Sequence, residues 1–316
     1  MIQSKISAPE KGRVKKKAGA RYFANYFDLY LFLLPAVLYF IIFHYWPMYG
    51  ALIAFKDFMP VKGILGSPWV GFAHFERFFQ SYFFSLLIRN TLLLSLFSIV
   101  FVFPAPVIFA LMLNQVGSKR FKRTMQTASY VPHFISTVVF VGMIFIYLSP
   151  SIGFVNRFIR ALGGETINFM GSAPWFRPVY IMSDIWKSTG YNAIIYLAAL
   201  SGISPELHEA AIVDGATKLQ RIRHIDIPGI TPTFVIILIL RIGQVMNIGF
   251  QKTFLMQTAL NMDTSEIIPT YVYKQGLLGA QFSFASAVGL FNSVINLVLI
   301  IAVNQFARKI SEHSLW

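Results

Sequence analysis

The 316-residue chain contains no cysteine, which excludes disulfides, thiol nucleophiles and cysteine-ligated metals. Charge is scarce too: only 13% of residues are Asp, Glu, Lys or Arg, against roughly 25% in an ordinary soluble domain. Acidic residues are the scarcest part, 13 against 27 Lys and Arg, for a net charge of +14. No G-x-x-x-x-G-K-[ST] phosphate loop occurs, so the chain is not expected to hydrolyse ATP itself. His208-Glu209 opens like a zinc H-E-x-x-H helix, but Ile212 stands where the second histidine is needed, so no metal site is expected there.

What the chain has instead is apolar surface. Hydrophobic residues make up 56% of it and its mean hydropathy is +0.60, which rules out a soluble or disordered protein. The apolar residues gather into six blocks, about 27–47, 87–113, 130–149, 178–200, 231–250 and 285–306, each near the roughly 20 residues that cross a bilayer as a helix. None alternates with the period of a membrane barrel, so the expectation is an all-α membrane protein of six transmembrane helices. Pro104 and Pro106 should kink the second.

The basic residues lie between the blocks. Residues 1–26 carry seven, the second loop holds Lys119, Arg120, Lys122 and Arg123, the fourth Lys218, Arg221 and Arg223, and the end Arg308 and Lys309. This excess on alternate loops predicts cytoplasmic N- and C-termini. Without a basic groove interleaved with aromatics, nucleic acid is not an expected partner; the tail reads as an orientation signal attracted to anionic membrane lipid. The organisation read here is a cytoplasmic basic tail over 1–26, a first helix and extracytoplasmic loop over 27–86, a five-helix core over 87–307 and a cytoplasmic C-terminal tail over 308–316.

The loop from Ser201 to Thr231 reads as two short helices broken by glycine. Ser204 can cap the first, with Pro205 at its first position. That helix runs through Glu209, Ala210 and Ala211 to Asp214, and Gly215 can take the positive φ that reverses the chain. In the second segment Leu219, Ile222 and Ile225 form an apolar stripe, and Pro228 and Pro232 mark the start of the fifth span. Such a helix pair either docks into a partner's groove or packs on its own bundle.

Glu209-Ala210-Ala211, three residues, Gly215, nine residues, then Ile225-Asp226-Ile227-Pro228 resembles the EAA motif of the membrane subunits of binding-protein-dependent ABC importers. Asp226 departs from it, standing where a small or hydroxylated residue is usual. Further segments, Phe32-Leu33-Leu34-Pro35, Tyr45-Trp46-Pro47, Trp69-Val70-Gly71-Phe72, Asn90-Thr91, Tyr130 to Ser136 and Ile185-Trp186-Lys187, are similar to the permease branch for oligosaccharides and polysaccharide fragments. The resemblance implies a type-I permease fold with cytoplasmic coupling helices in the bacterial inner membrane. It also implies a second homologous permease subunit, two ATPase subunits that bind ATP and Mg in place of this chain, and an extracytoplasmic solute-binding protein. Glu209, Ala210, Ala211, Asp214, Gly215, Ile225 and Pro228 would form the ATPase-coupling surface, and no residue would be catalytic. The solute implied is an oligosaccharide, with an anionic uronate oligomer such as alginate as one candidate.

Polar groups inside apolar blocks are costly in lipid and face protein or water. Lys187, Asn192, Arg241, Gln244, Asn247 and Asn292 are therefore candidates for a solute path, Arg241, Gln244 and Asn247 as one stripe. Asp184 and Lys187, three apart, either pair with each other or line that path, and Asn192, Asn292 and Asn296 either meet sugar hydroxyls or bond a neighbouring helix. The rival class is a self-contained secondary transporter or channel, which needs no docking loop.

Overall fold

The computed structural model describes residues 26–310. Apart from Tyr26, the basic tail over 1–26 lies outside the described residues, as does the C-terminal tail beyond residue 310. Among the described residues the chain is helical, with one isolated antiparallel bridge between Lys56 and Trp69. It divides into two compact units, residues 1–52 and 53–316.

The first unit holds α1, Phe27–Phe40, with Asp28 in the first turn, where it complements the positive helix end, and Pro35 inside. A widened turn over Ile41–Tyr45 carries it on to Trp46–Met48.

In the second unit, α2, Tyr82–Phe97, runs through a widened turn over Ser98–Val102 into α3, Pro104–Asn114. The expected proline kink takes this form. Pro104 has no N–H to donate and its ring crowds the preceding turn, and Phe103 N donates to Ser98 O, five residues back, at 3.0 Å. α4, Lys119–Tyr130, and α5, Thr137–Tyr147, follow. The block expected over 130–149 is not one straight helix: the chain bends by 100° between Phe134 and Thr137. Val131-Pro132 tightens into a three-residue-per-turn segment, and Ser136, in extended conformation, caps α5 by accepting from Val139 N at 3.4 Å.

α6, Ala173–Ser201, starts before the expected 178 and is 29 residues long. Its length suffices to cross a bilayer, but Arg177, Asp184 and Lys187 make it less apolar than the rest. Beyond it come α7, Pro205–Val213; α8, Lys218–Arg221; α9, Ile227–Ile242; α10, Phe250–Met256; α11, Ile268–Tyr273; and α12, Phe282–Ile310. Among the described residues four helices are long and apolar enough to span, Phe27–Phe55, Tyr82–Asn114, Lys218–Ile242 and Phe282–Phe306, or five if the bent α4–α5 pair counts as one. The six expected differ from this count because α6 carries its charges inward.

The fifth block also ends early, at Ile242, not 250. A tight turn over Val245–Asn247 and Gly249 follows, with Gly249 at φ +44°, where a Cβ would collide with the Tyr180 hydroxyl.

Buried apolar clusters hold the second unit together. One joins Leu94, Phe140, Phe176, Tyr180 and Met256 from α2, α5, α6 and α10; another joins Ala110, Ala193, Tyr196, Leu200 and Ile230 from α3, α6 and α9. The Asn90-Thr91 pair of the sequence motif is structural. Buried Asn90 donates to Asp263 O and Glu266 O and accepts from Arg177, while Thr91 Oγ1 accepts from Ile268 N at 3.1 Å. Four otherwise orphaned backbone groups and side chains are thereby satisfied inside the bundle. Where α4 crosses α6, Gly190 lets the helices touch, since a Cβ there would meet the Ser129 carbonyl.

Candidate functional site

The loop between α6 and α9 forms as its residues dictate. Ser204 accepts from Glu206 N at 3.3 Å and Pro205 opens α7. The far end closes as a Schellman turn: Ala216 N donates to Ala211 O at 2.8 Å and Gly215 N to Ile212 O at 3.0 Å. Gly215 sits at φ +79° as expected. Thr217 and Gln220 then make a capping box that starts α8.

The second arm is not a separate helix. From α8 a widened turn over Ile222–Asp226 leads directly into α9, so Lys218–Ile242 is one continuous rod. The extra residue in that turn accommodates Pro228, which lacks the donor a regular helix would need. Glu209, Ala210, Asp214, Gly215 and Pro228 are exposed, and Ala211 and Ile225 half-buried. Beside them Leu207, Ile212, Val213 and Leu219 also stand exposed, the last two at 87% and 74%. The stripe expected of Leu219, Ile222 and Ile225 splits: Leu219 faces out while Ile222 and Ile225 turn partly inward.

Asp226 is not part of this outer surface. It is fully buried, with His208 Nε2 at 3.3 Å from Oδ1 and Gln115 Nε2 donating to Oδ2 at 2.9 Å. A helix one turn too few or too many would put it outside; the widened turn rotates it inward. It ties α7, the end of α3 and the root of α9 together.

A cavity of about 840 Å³ opens between α2, α3, α5, α6, α9 and α10. Lys187, Asn192, Arg241, Gln244 and Asn247 all line it, and it gathers Asp184, Lys252, His133, Tyr191 and Ser188 as well. The helical stripe expected of Arg241, Gln244 and Asn247 is broken by the turn after Ile242, yet all three reach the same wall. Asn292 does not line this cavity. It is buried and donates to Asn247 Oδ1, and Asn296 accepts from Met246 N at 3.1 Å, so both act between helices.

Asp184 does not take Lys187 as its ion-pair partner. Lys252, buried on α10, donates from Nζ to Asp184 Oδ1 at 2.9 Å and to Tyr180 O at 2.8 Å. Lys187 instead reaches Thr137 Oγ1 at 3.3 Å and lies 4.9 Å from the centre of the Phe140 ring. Lys252 lies beyond the expected end of the fifth block and 68 residues from its partner, a separation no local pattern signals. Among the described residues no carboxylate pairs with Arg241. The cavity thus holds three cations, Lys187, Arg241 and Lys252, against Asp184. Among the described residues no cluster of His, Asp and Glu could hold a metal.

Comparison with known proteins decides what this arrangement belongs to. The family described as "Binding-protein-dependent transport system inner membrane component" matches residues 102–312. The chain belongs to this family. The permease is 46% identical to Protein LplB of Bacillus subtilis (strain 168) over 288 residues, 91% of each chain. It is 44% identical to the polygalacturonan/rhamnogalacturonan transport system permease protein YteP of the same strain, covering 91% of this chain and 90% of that one. It also superposes with TM-score 0.88 and 40% identity on a chain of the bacterial alginate ABC transporter, crystallised with an alginate pentasaccharide-bound periplasmic protein, covering 95% of this chain and 100% of that one. Family membership gives the permease its type-I fold and its place in the inner membrane, and sets aside the self-contained secondary transporter.

Proposed function

We propose that the permease carries an acidic oligosaccharide, cut from a polysaccharide such as alginate, across the cytoplasmic membrane in an ATP-driven importer. The observation that carries this reading is the cavity's cation excess, Lys187, Arg241 and Lys252 facing Asp184. In a low-dielectric path such an excess attracts carboxylates strongly and neutral sugars only through hydrogen bonds. Support comes from relatives: one is a polygalacturonan/rhamnogalacturonan permease, and a similar transporter imports what its description calls the acidic polysaccharide alginate.

The complete machine in this reading has a second homologous permease, two ATPase subunits that bind ATP and Mg, and an extracytoplasmic solute-binding protein. All six expected helices cross, α4–α5 and α6 included, with both termini cytoplasmic. Glu209, Ala210, Ala211, Asp214, Gly215, Ile225 and Pro228 couple ATP to transport. Closure of the ATPase dimer moves the exposed end of α7, and the helices rock between inward-open and outward-open states. Solute acts by favouring one state over the other. Lys187, Asn192, Arg241, Gln244 and Asn247 line its path, and Asn292 holds Asn247 in place.

The test is purification of the tagged permease in mild detergent with whatever remains bound, followed by ATPase assay with binding protein loaded with acidic or neutral oligosaccharide. Copurification of a P-loop ATPase and a second permease, with hydrolysis raised more by the acidic sugar, is expected. A complex stimulated equally by a neutral oligosaccharide of the same length overturns the acidic assignment, and one without an ATPase overturns the importer.

A further inference from the structure

We propose that α4 lies in the plane of the membrane surface and that its basic face binds anionic phospholipid headgroups. Three independent observations meet here. The first is direction: α4 and α5 meet at 100°. A helix at a right angle to an apolar helix that enters the bilayer runs along the interface.

The second is the pattern around α4. At about 100° per residue, Lys119, Arg120, Lys122 and Arg123 cover one half of the helix, and Phe121, Met125 and Ala128 the other. Phe121 is 52% exposed on that apolar side, and Phe134, just beyond the helix, 75%. An amphipathic helix with a cationic face and exposed aromatics on the other is built to sit at a lipid boundary.

The third is the charge balance. No Asp or Glu occurs between Glu76 and Glu165, and among the described residues no ion pair engages any of the four cations. Lys119, Arg120 and Arg123 are exposed. The chain therefore concentrates positive charge on a surface it does not itself neutralise, and anionic headgroups are the complementary charge at that depth.

Two contacts fix where this face sits. At its C-terminal end α4 rests on α6 through Ser129 and Gly190. At the other end Gln115, just before α4, bonds Asp226 at the root of the loop that carries Glu209. The basic face and the α7 loop therefore share one end of the bundle.

The experiment places the full-length protein in nanodiscs of phosphatidylcholine with phosphatidylglycerol, releases it gently and counts retained phosphatidylglycerol by native mass spectrometry. In the wild type, retention should fall steeply as ionic strength rises, because the attraction is screened. K119Q/R120Q/K122Q/R123Q should weaken retention by about 10-fold or more, while K119R/R120K/K122R/R123K keeps it and phosphatidylcholine retention changes in neither. Salt-insensitive retention by the wild type, or equal retention by the glutamine variant, overturns the proposal. Loss of a copurifying ATPase with phosphatidylglycerol retention unchanged overturns it as well, by assigning the face to a protein.

Discussion

Lys252 Nζ and Asp184 Oδ1 stand 2.9 Å apart across the wall between α10 and α6, with the lysine almost wholly out of solvent. A buried charge that loses its partner keeps its desolvation cost and loses the compensation, for about 3 kcal/mol or more. D184N should therefore lower the thermal midpoint of the detergent-solubilised protein clearly, and K252M less, because Asp184 opens partly on the cavity. The double variant D184N/K252M should recover much of the D184N loss. If the two single effects simply add, the pair is not coupled.

Arg241 has a different environment, exposed to the cavity without a carboxylate partner. R241E should reduce uptake of an acidic oligosaccharide by about 10-fold, roughly 1.4 kcal/mol, and leave folding intact. Uptake by reconstituted vesicles checks this against R241Q, for which an intermediate loss is expected. Unchanged transport by R241E removes Arg241 from the path.

The α7 loop should separate assembly from coupling. G215D places a side chain at φ +79°, where only glycine sits without strain, and E209K reverses an exposed charge. Both should insert normally and lower transport per ATP hydrolysed by several-fold, measured in vesicles by the two rates together. Full transport by both variants takes the loop out of the mechanism.

Gly190 tests the close crossing of α4 and α6. A Cβ there has no room beside the Ser129 backbone, so G190A should cost about 1–3 kcal/mol. A midpoint within a degree of wild type would mean that the helices part without penalty.

The legible part of the fold was the part set by local chemistry. Ser204, Pro205 and Gly215 placed both ends of α7 because caps and positive-φ turns act over four or five residues. Lys187, Asn192, Arg241, Gln244 and Asn247 could be picked out because polar groups in apolar blocks must face something other than lipid. What escaped depended on distance or on one extra backbone residue. Lys252 meets Asp184 from 68 residues away. Asp226 and the α8–α9 continuity follow from the widened turn at Ile222–Asp226, which hydrophobic period does not reveal. The bend at Phe134 hid inside a block whose composition alone suggested one helix.

That widened turn gives the protein a lever. Because α8 and α9 form one rod of 25 residues, roughly 37 Å long at ~1.5 Å per residue, a push at exposed Leu219 is not absorbed in a hinge. The buried Asp226, gripped by Gln115 and His208, serves as its fulcrum near one end. A tilt of about 10° about that point would swing the far end, where Arg241 stands, by about 5 Å over the remaining length. The mechanical advantage is therefore set by where the bulge falls along the rod, and shifting it by one turn would alter the stroke delivered to the cavity without touching a single cavity residue.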